Sequence, residues 1–109
     1  MDPHKAIDYI IQNSVKYAQA RANRLYLEEF RKSKKALLMK DALARGYEAV
    51  NAQEREAYSD PDYLEILRGI KEATTEEEEI RWKLEAARMR VDVWRSEQAT
   101  ARSQVSVTL

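Results

Sequence analysis

The sequence has few of the residues that build turns, disulfides and thiolate sites. It contains no cysteine, two glycines, two prolines and a single histidine, His4, among 109 residues. The absence of cysteine excludes a disulfide framework, a thiolate metal site and a thiol nucleophile. The scarcity of glycine and proline excludes a turn-rich β-sandwich and a glycine-rich nucleotide loop. Apolar runs are only a few residues long, so we expect no membrane-spanning segment.

What the sequence does contain favours one soluble, all-α domain over residues 1–109. Charged residues make up 35% of the chain, with 19 basic and 19 acidic side chains. The first residues, MDPHK, lack the apolar stretch of a signal peptide, so we expect a cytoplasmic protein. The motifs GxxxxGK, GxGxxG, HExxH and GxSxG are absent, so we expect a protein that is not an enzyme and needs no cofactor.

The first helix is predicted over 3–45. Asp2 is a suitable N-terminal cap, Pro3 suits the first helical position, and Gly46 is a natural C-terminal stop. Between these signals, apolar residues recur at steps of three and four or their multiples. They are Ile7, Ile11, Val15, Ala18, Ala22, Tyr26, Phe30 and Leu37. We expect this apolar stripe to be the buried face of the helix.

Residues 46–62 are predicted to form an elbow that contains a short helix over 52–58. Asn51 and Glu54 have the spacing of a capping box for this helix. Ser59, Asp60 and Pro61 then resemble the cap and first turn of a new helix.

The second long helix is predicted over 62–102 from a heptad pattern, in which apolar residues alternate by three and four. The seam consists of Tyr63, Ile66, Ile70, Ala73, Glu77, Ile80, Leu84, Ala87, Val91, Trp94, Gln98 and Ala101. Thr75 and Glu78 have capping-box spacing, which leaves open a kink near Thr74-Thr75. Residues 103–109 are predicted to be a flexible tail.

Two long helices joined by a short elbow predict an antiparallel, coiled-coil-like hairpin. The second helix also has a second apolar line, about 200° around from its seam. This line consists of Trp82, Ala86, Met89 and Val93. One hairpin covers only one of the two faces, so we expect a homo-oligomeric bundle in which another copy covers this line. The alternative is that the short helix folds back over Trp82.

Charge is unevenly distributed along the chain. Residues 16–45 hold nine basic and three acidic side chains, whereas residues 46–79 hold three and eleven. Five basic residues of the first helix fall within one wedge, predicted to face solvent opposite the apolar stripe. This basic wedge consists of Arg24, Arg31, Lys34, Lys35 and Arg45. Such a row suits DNA phosphates; the alternative is that its charges pair with the acidic elbow.

Glu77 is the one acidic residue on the predicted seam. A buried charge there requires a partner, and Lys40 on the first helix is the expected one. The neighbouring run Glu76–Glu79 lacks the histidines of a helical di-metal site, so we expect no metal.

Three segments resemble small proteins from the early or recombination regions of tailed-phage genomes. They are YLEEFRKSKKALLMKDA (26–42), QEREAYSDPDYLEIL (53–67) and EIRWKLEAARMRVDVWRSEQATAR (79–102). The resemblance implies a phage origin, a bacterial host cytoplasm and a role in DNA metabolism or host takeover. We therefore predict a non-enzymatic accessory protein for DNA recombination or replication, which binds a protein, DNA or both. The alternative is a protein-only adaptor or host-factor inhibitor that uses the acidic elbow.

Overall fold

The computed structural model describes residues 2–108, with side chains up to residue 106. These residues form three helices: α1 (Pro3–Ala44), α2 (Val50–Tyr58) and α3 (Pro61–Thr108). Within that range there is no strand, and the predicted all-α class is confirmed. No helix in the described range combines the length and apolar character needed to cross a bilayer.

Both ends of α1 are set by local signals that the sequence contains. The Asp2 carboxylate accepts a hydrogen bond from the His4 backbone N–H at 2.7 Å, so Asp2 caps the helix as predicted. At the other end, Gly46 has a φ of 104°. The backbone N–H groups of Gly46 and Tyr47 donate to the carbonyls of Leu43 and Ala42, at 3.1 and 3.0 Å. This is a Schellman motif with glycine at its left-handed position.

The elbow differs from its prediction. Helix α2 begins at Val50, and its cap residue Ala49 makes no side-chain capping bond, so the predicted capping box is wrong. The Asn51 side chain instead accepts from the adjacent Ala52 N–H at 2.9 Å. The elbow is held by buried Gln53, whose amide donates to the Tyr47 and Glu48 carbonyls at 2.9 and 3.1 Å.

Helix α3 begins at Pro61 because the Asp60 carboxylate accepts from the Asp62 N–H at 2.8 Å. It is one helix through Thr74 and Thr75. Both hydroxyls donate back to carbonyls four residues earlier, at 2.7 and 2.9 Å, which accommodates them in the helix interior. The helix also continues through residues predicted as a flexible tail, up to Thr108; Leu109 lies outside the described residues.

The chain divides into two compact units. The terminal unit combines the chain start, up to residue 18, with the part of α3 from residue 78 onward. The central unit contains residues 19–77. In the terminal unit, His4 lies near Trp94, with ring centroids 6.5 Å apart, and Tyr17 lines a groove with Arg81. The order of these contacts shows that α1 and α3 run antiparallel in this unit.

Antiparallel pairing also holds within the central unit. Lys34 of α1 contacts Asp62 near the start of α3, and Arg24 contacts Glu77 further along it. The central core contains Leu38, Ala57 and Tyr63, with Met39 packed against it.

The predicted seam of α3 is confirmed from Tyr63 to Val91, where every seam residue is buried or half-buried. Beyond that point, Trp94, Gln98 and Ala101 are exposed.

The predicted buried stripe of α1 is wrong. Six of its large residues are exposed: Ile7, Ile11, Val15, Tyr26, Phe30 and Leu37. The less exposed face of α1 instead follows a different heptad row, with steps of three and four. In the terminal unit this row is Ala6, Ile10, Asn13 and Tyr17, and in the central unit it is Ala20, Arg24, Leu27, Arg31, Lys34 and Leu38.

Alanines are the most completely buried apolar residues of the three helices. Among the buried apolar residues, alanine dominates: Ala6, Ala20, Ala42, Ala57, Ala73 and Ala87. Small side chains allow helix backbones to approach closely, and large apolar residues at the same positions would force them apart. The buried alanines thus mark points of close approach, while the rest of the packed row of α1 consists of larger side chains such as Ile10, Leu27 and Leu38.

Candidate interaction surfaces

The basic wedge of α1 contacts acidic side chains of α2 and α3 within the central unit. Lys34 lies 3.6 Å from Asp62, and Lys35 lies 3.7 Å from Glu54. The Lys35 ammonium also lies 4.7 Å from the ring centre of Tyr58, and hydrogen bonding to Tyr58 raises the pKa of Lys35.

Two further wedge residues, Arg45 and Arg31, lie near the same helices. Arg45 lies 3.7 Å from Glu56 and stacks over the Tyr47 ring at 5.5 Å. Arg31 is half-buried on the same face of α1. Arg45 is exposed, but the other four wedge residues are half-buried, so for these four the expectation that the wedge faces solvent is wrong. The alternative reading, in which its charges meet the acidic elbow, describes the observed contacts.

Arg24 contacts two carboxylates near the end of the central unit, where residue 77 is its last residue. It donates two hydrogen bonds to Glu77, one from Nε and one from Nη2, the latter at 3.2 Å. A third bond goes from Nη1 to Glu28 at 3.0 Å. These bonds, first of all those to Glu77, raise the pKa of Arg24. Glu77 is buried on the seam as expected, but its partner is Arg24 and not Lys40, which is exposed.

Four apolar residues of α1 in the central unit lie exposed on the face away from the packed row. We call this set the α1 outer row: Ala22, Tyr26, Phe30 and Leu37. Tyr26 is 65% exposed and Leu37 is 57% exposed. The rings of Tyr26 and Phe30 stack nearly parallel, with centroids 6.1 Å apart and an angle of 6°. The two rings thus contact each other along the helix, and both are exposed, Phe30 to 39%.

The second apolar line of α3 is also uncovered. Trp82 is 59% exposed and Met89 is 55% exposed, and Ala86 and Val93 are exposed as well. We call these four residues the α3 outer line. The alternative, in which the short helix folds back over Trp82, stays a prediction. The prediction that another copy covers the line remains a prediction.

Ion pairs repeat every seven residues beside the α3 outer line. Arg81 pairs with Glu78 at 2.7 Å, Arg88 with Glu85 at 3.6 Å and Arg95 with Asp92 at 3.8 Å. The Arg81 guanidinium also lies 4.5 Å from the Trp82 ring centre. Hydrogen bonding to Glu78 raises the pKa of Arg81. Each of these arginines therefore has an acidic neighbour on its own helix.

The described residues contain no group of three or more His, Asp and Glu side chains that is arranged to hold a metal ion. His4 lies in the first turn of α1, beside Trp94. The chain matches no protein-family model, no curated protein and no solved structure. The resemblance to phage proteins therefore remains an expectation, and function has to be argued from the surfaces themselves.

Sequence reasoning missed the packed row of α1 because four of its members are polar. A signal was present in the strict seven-residue spacing of Ala6, Asn13, Ala20, Leu27 and Lys34. Ile10, Tyr17, Arg24, Arg31 and Leu38 repeat at the same interval. Together they follow the same three-four alternation as the α3 seam. The nearly continuous series of apolar residues in the predicted stripe was the stronger signal, and it concealed this second pattern.

Proposed function

We propose that this protein is a non-enzymatic adaptor that binds a protein partner through the α1 outer row. One observation carries the proposal: α1 is an inverted amphipathic helix in the central unit. Its charged face, with Arg24, Lys34 and Lys35, packs against α2 and α3, and its aromatic face points outward. Contiguous exposed apolar patches on a protein surface commonly mark interaction sites.

The shape of the outer row suits a partner helix. Tyr26, Phe30 and Leu37 lie on one side of α1 at spacings of four and seven residues. An amphipathic helix with its own apolar stripe packs against such a surface by inserting side chains between these ridges. Tyr26 and Phe30 supply the aromatic anchors that dominate binding energy at protein interfaces.

The nucleic-acid reading of the basic wedge has less support. Four wedge residues, Arg24, Lys34, Lys35 and Arg45, contact carboxylates of the central unit, and phosphate binding would have to compete with these contacts. The same contacts engage Glu54, Glu56 and Asp62, so part of the acidic elbow is neutralised as well. A role in phage DNA recombination or replication stays a prediction, as does the phage origin.

Affinity capture with variants of the outer row tests the adaptor. Tyr26→Gln with Phe30→Gln removes both aromatic anchors, and both positions already face solvent, so the helix should fold normally. Val50→Gln with Leu64→Gln is the matched control, because these residues are exposed on α2 and α3 of the same unit. Captured proteins are identified by mass spectrometry, and the interaction is reconstituted from purified components.

The adaptor predicts one stoichiometric partner that binds the parent chain and the Val50/Leu64 control. The Tyr26/Phe30 variant should bind it at least about tenfold more weakly, given that hot-spot residues each contribute about 2 kcal/mol or more. Equal binding by all three chains, or no purified partner that binds directly, would overturn the proposal. Circular dichroism of each variant establishes that the helices are retained.

A further inference from the structure

The α3 outer line has the geometry of a second coiled-coil interface. Trp82, Ala86, Met89 and Val93 are separated by four, three and four residues, which is the alternation of core positions in a heptad. All four lie in the terminal unit and are exposed. The line therefore offers four core positions over about three helical turns to a further helix.

The charges along the two edges of this line differ. Glu78, Glu85 and Asp92 lie along one edge, and Lys83, Arg90 and Glu97 along the other, by their helical positions. In a parallel coiled coil, a residue on the first edge contacts the residue five positions later on the second edge of the partner. In an antiparallel coiled coil, each edge meets the same edge of the partner.

These edges distinguish the two orientations of a second copy. In parallel register, Glu78 meets Lys83 and Glu85 meets Arg90, and symmetry doubles both attractive pairs. The next pair, Asp92 with Glu97, is repulsive and follows the last apolar residue, Val93. In the antiparallel orientation, Glu78, Glu85 and Asp92 pair with arginines of their own helix but meet the acidic edge of the other copy and gain no basic partner from its Lys83 or Arg90. Charge complementarity thus favours a parallel contact that ends after Val93.

We propose that two copies of this chain associate in parallel and in register along the α3 outer line. The inference does not rest on the adaptor function, because the α1 outer row belongs to the other unit and is a separate surface. The two-fold symmetric contact places Met89 against its own counterpart near the middle of the interface.

Because the chain contains no cysteine, an introduced cysteine is the only thiol that a cross-linker can modify. Glu79→Cys and Ser96→Cys place thiols at exposed core-type positions just beyond the two ends of the outer line. Each variant is treated alone, and then in an equimolar mixture, with a short bifunctional maleimide. Gln12→Cys, exposed on α1, is the control for random collision.

A parallel dimer predicts that each variant cross-links to itself and that the mixture yields no 79–96 product. A 79–96 product without self-cross-linking would show an antiparallel dimer and overturn the orientation. Cross-linking no stronger than that of the Gln12 variant, together with a monomer mass in light scattering, would overturn the association itself.

Charge reversal provides an independent readout. Glu85→Arg and Arg90→Glu should each weaken the dimer several-fold in sedimentation, and the double variant should recover most of the loss. No recovery would contradict the Glu85–Arg90 contact.

Trp82→Glu with Met89→Glu should give a monomer that keeps its helices. A dimer that survives this change but is lost on Tyr26→Gln with Phe30→Gln would show that copies associate through the α1 outer row instead. That result would overturn this proposal and, with it, the adaptor.

Discussion

Glu77 is a charged side chain at a position where the seam pattern calls for an apolar one. Its side chain is only 6% exposed, and Arg24 holds it with two hydrogen bonds. A buried ion pair commonly adds little net stability over apolar replacements, but removal of one partner is costly. We therefore expect the pair to determine which residues of α1 lie opposite Glu77 more than to add to the free energy of unfolding.

A double-mutant cycle tests this pairing. Glu77→Leu and Arg24→Met each remove the contact, and each should lower the melting temperature. The double variant should lose less than the two losses added, because neither charge is left behind. Glu77→Leu combined with Lys40→Met is the control and should be additive, since Lys40 is exposed. Additive losses for Arg24 and Glu77 would show that the two side chains do not depend on each other.

Gln53 has a role that no sequence motif indicates. It is buried on α2, and its amide donates to the carbonyls of Tyr47 and Glu48, in the segment between α1 and α2. Backbone carbonyls in such a connection have no helical partner of their own, and a buried amide supplies the donors. In the connection between α1 and α2, the side-chain hydrogen bonds therefore come from Gln53 and not from the capping box that the sequence suggests.

The two glycines differ in position: Gly46 follows the C-terminal end of α1, and Gly69 lies in the interior of α3. Gly46 ends α1 with a φ of 104°, a conformation that L side chains rarely adopt. Gly69 lies inside α3, where an added Cβ would meet the Leu27 Cδ1 at 3.6 Å, an ordinary contact distance. Only the first position requires glycine.

Alanine substitutions at the two glycines should therefore have opposite effects. Gly46→Ala should lower the free energy of unfolding by about 1–2 kcal/mol, because alanine is strained in the left-handed conformation. Gly69→Ala should raise it by about 0.5–1 kcal/mol, because alanine favours the helix interior. Urea titrations measure both changes. A stabilising Gly46→Ala would contradict the Schellman end of α1.

Across the central unit, the distribution of charge serves internal contacts. Residues 16–45 are basic and residues 46–79 are acidic, and the chain folds back so that Lys34, Lys35 and Arg45 meet Asp62, Glu54 and Glu56. Such partly exposed pairs are individually weak, but several of them favour one alignment of the helices over others. The zero net charge of the chain thus reflects paired segments of opposite sign.

Lys34→Gln with Lys35→Gln separates this internal role from DNA binding. We expect a slightly lower melting temperature and no change in retention on single-stranded or duplex DNA at about 50 mM salt. Phosphate contact would instead flatten the log–log salt slope by about one unit for each lysine removed. Lys16→Gln with Lys32→Gln, on exposed positions of α1, is the charge-matched control. A slope that flattens only in the Lys34/Lys35 variant would restore the wedge as a DNA surface.

The helices and one of their packed faces were predictable from the sequence, and the other packed face was not. Asp2, Pro3, Gly46, Asp60 and Pro61 act on the backbone within a few residues, so they set the ends of α1 and the start of α3 wherever those helices pack. The α3 seam was also readable, because its apolar residues repeat with only Glu77 as a polar member up to Val91.

The buried face of α1 depended on the partner helix. Its run of apolar residues predicted one face, but the face that packs has Ala20 and Leu38 buried and charged side chains such as Lys34 half-buried, and those charges require acidic partners on the other helices. Glu77 on α3 also required a cation, which Arg24 supplies from that same face. Because both requirements come from contacts distant in sequence, only the tertiary structure determined that the charged side of α1 is packed and its aromatic side is outside.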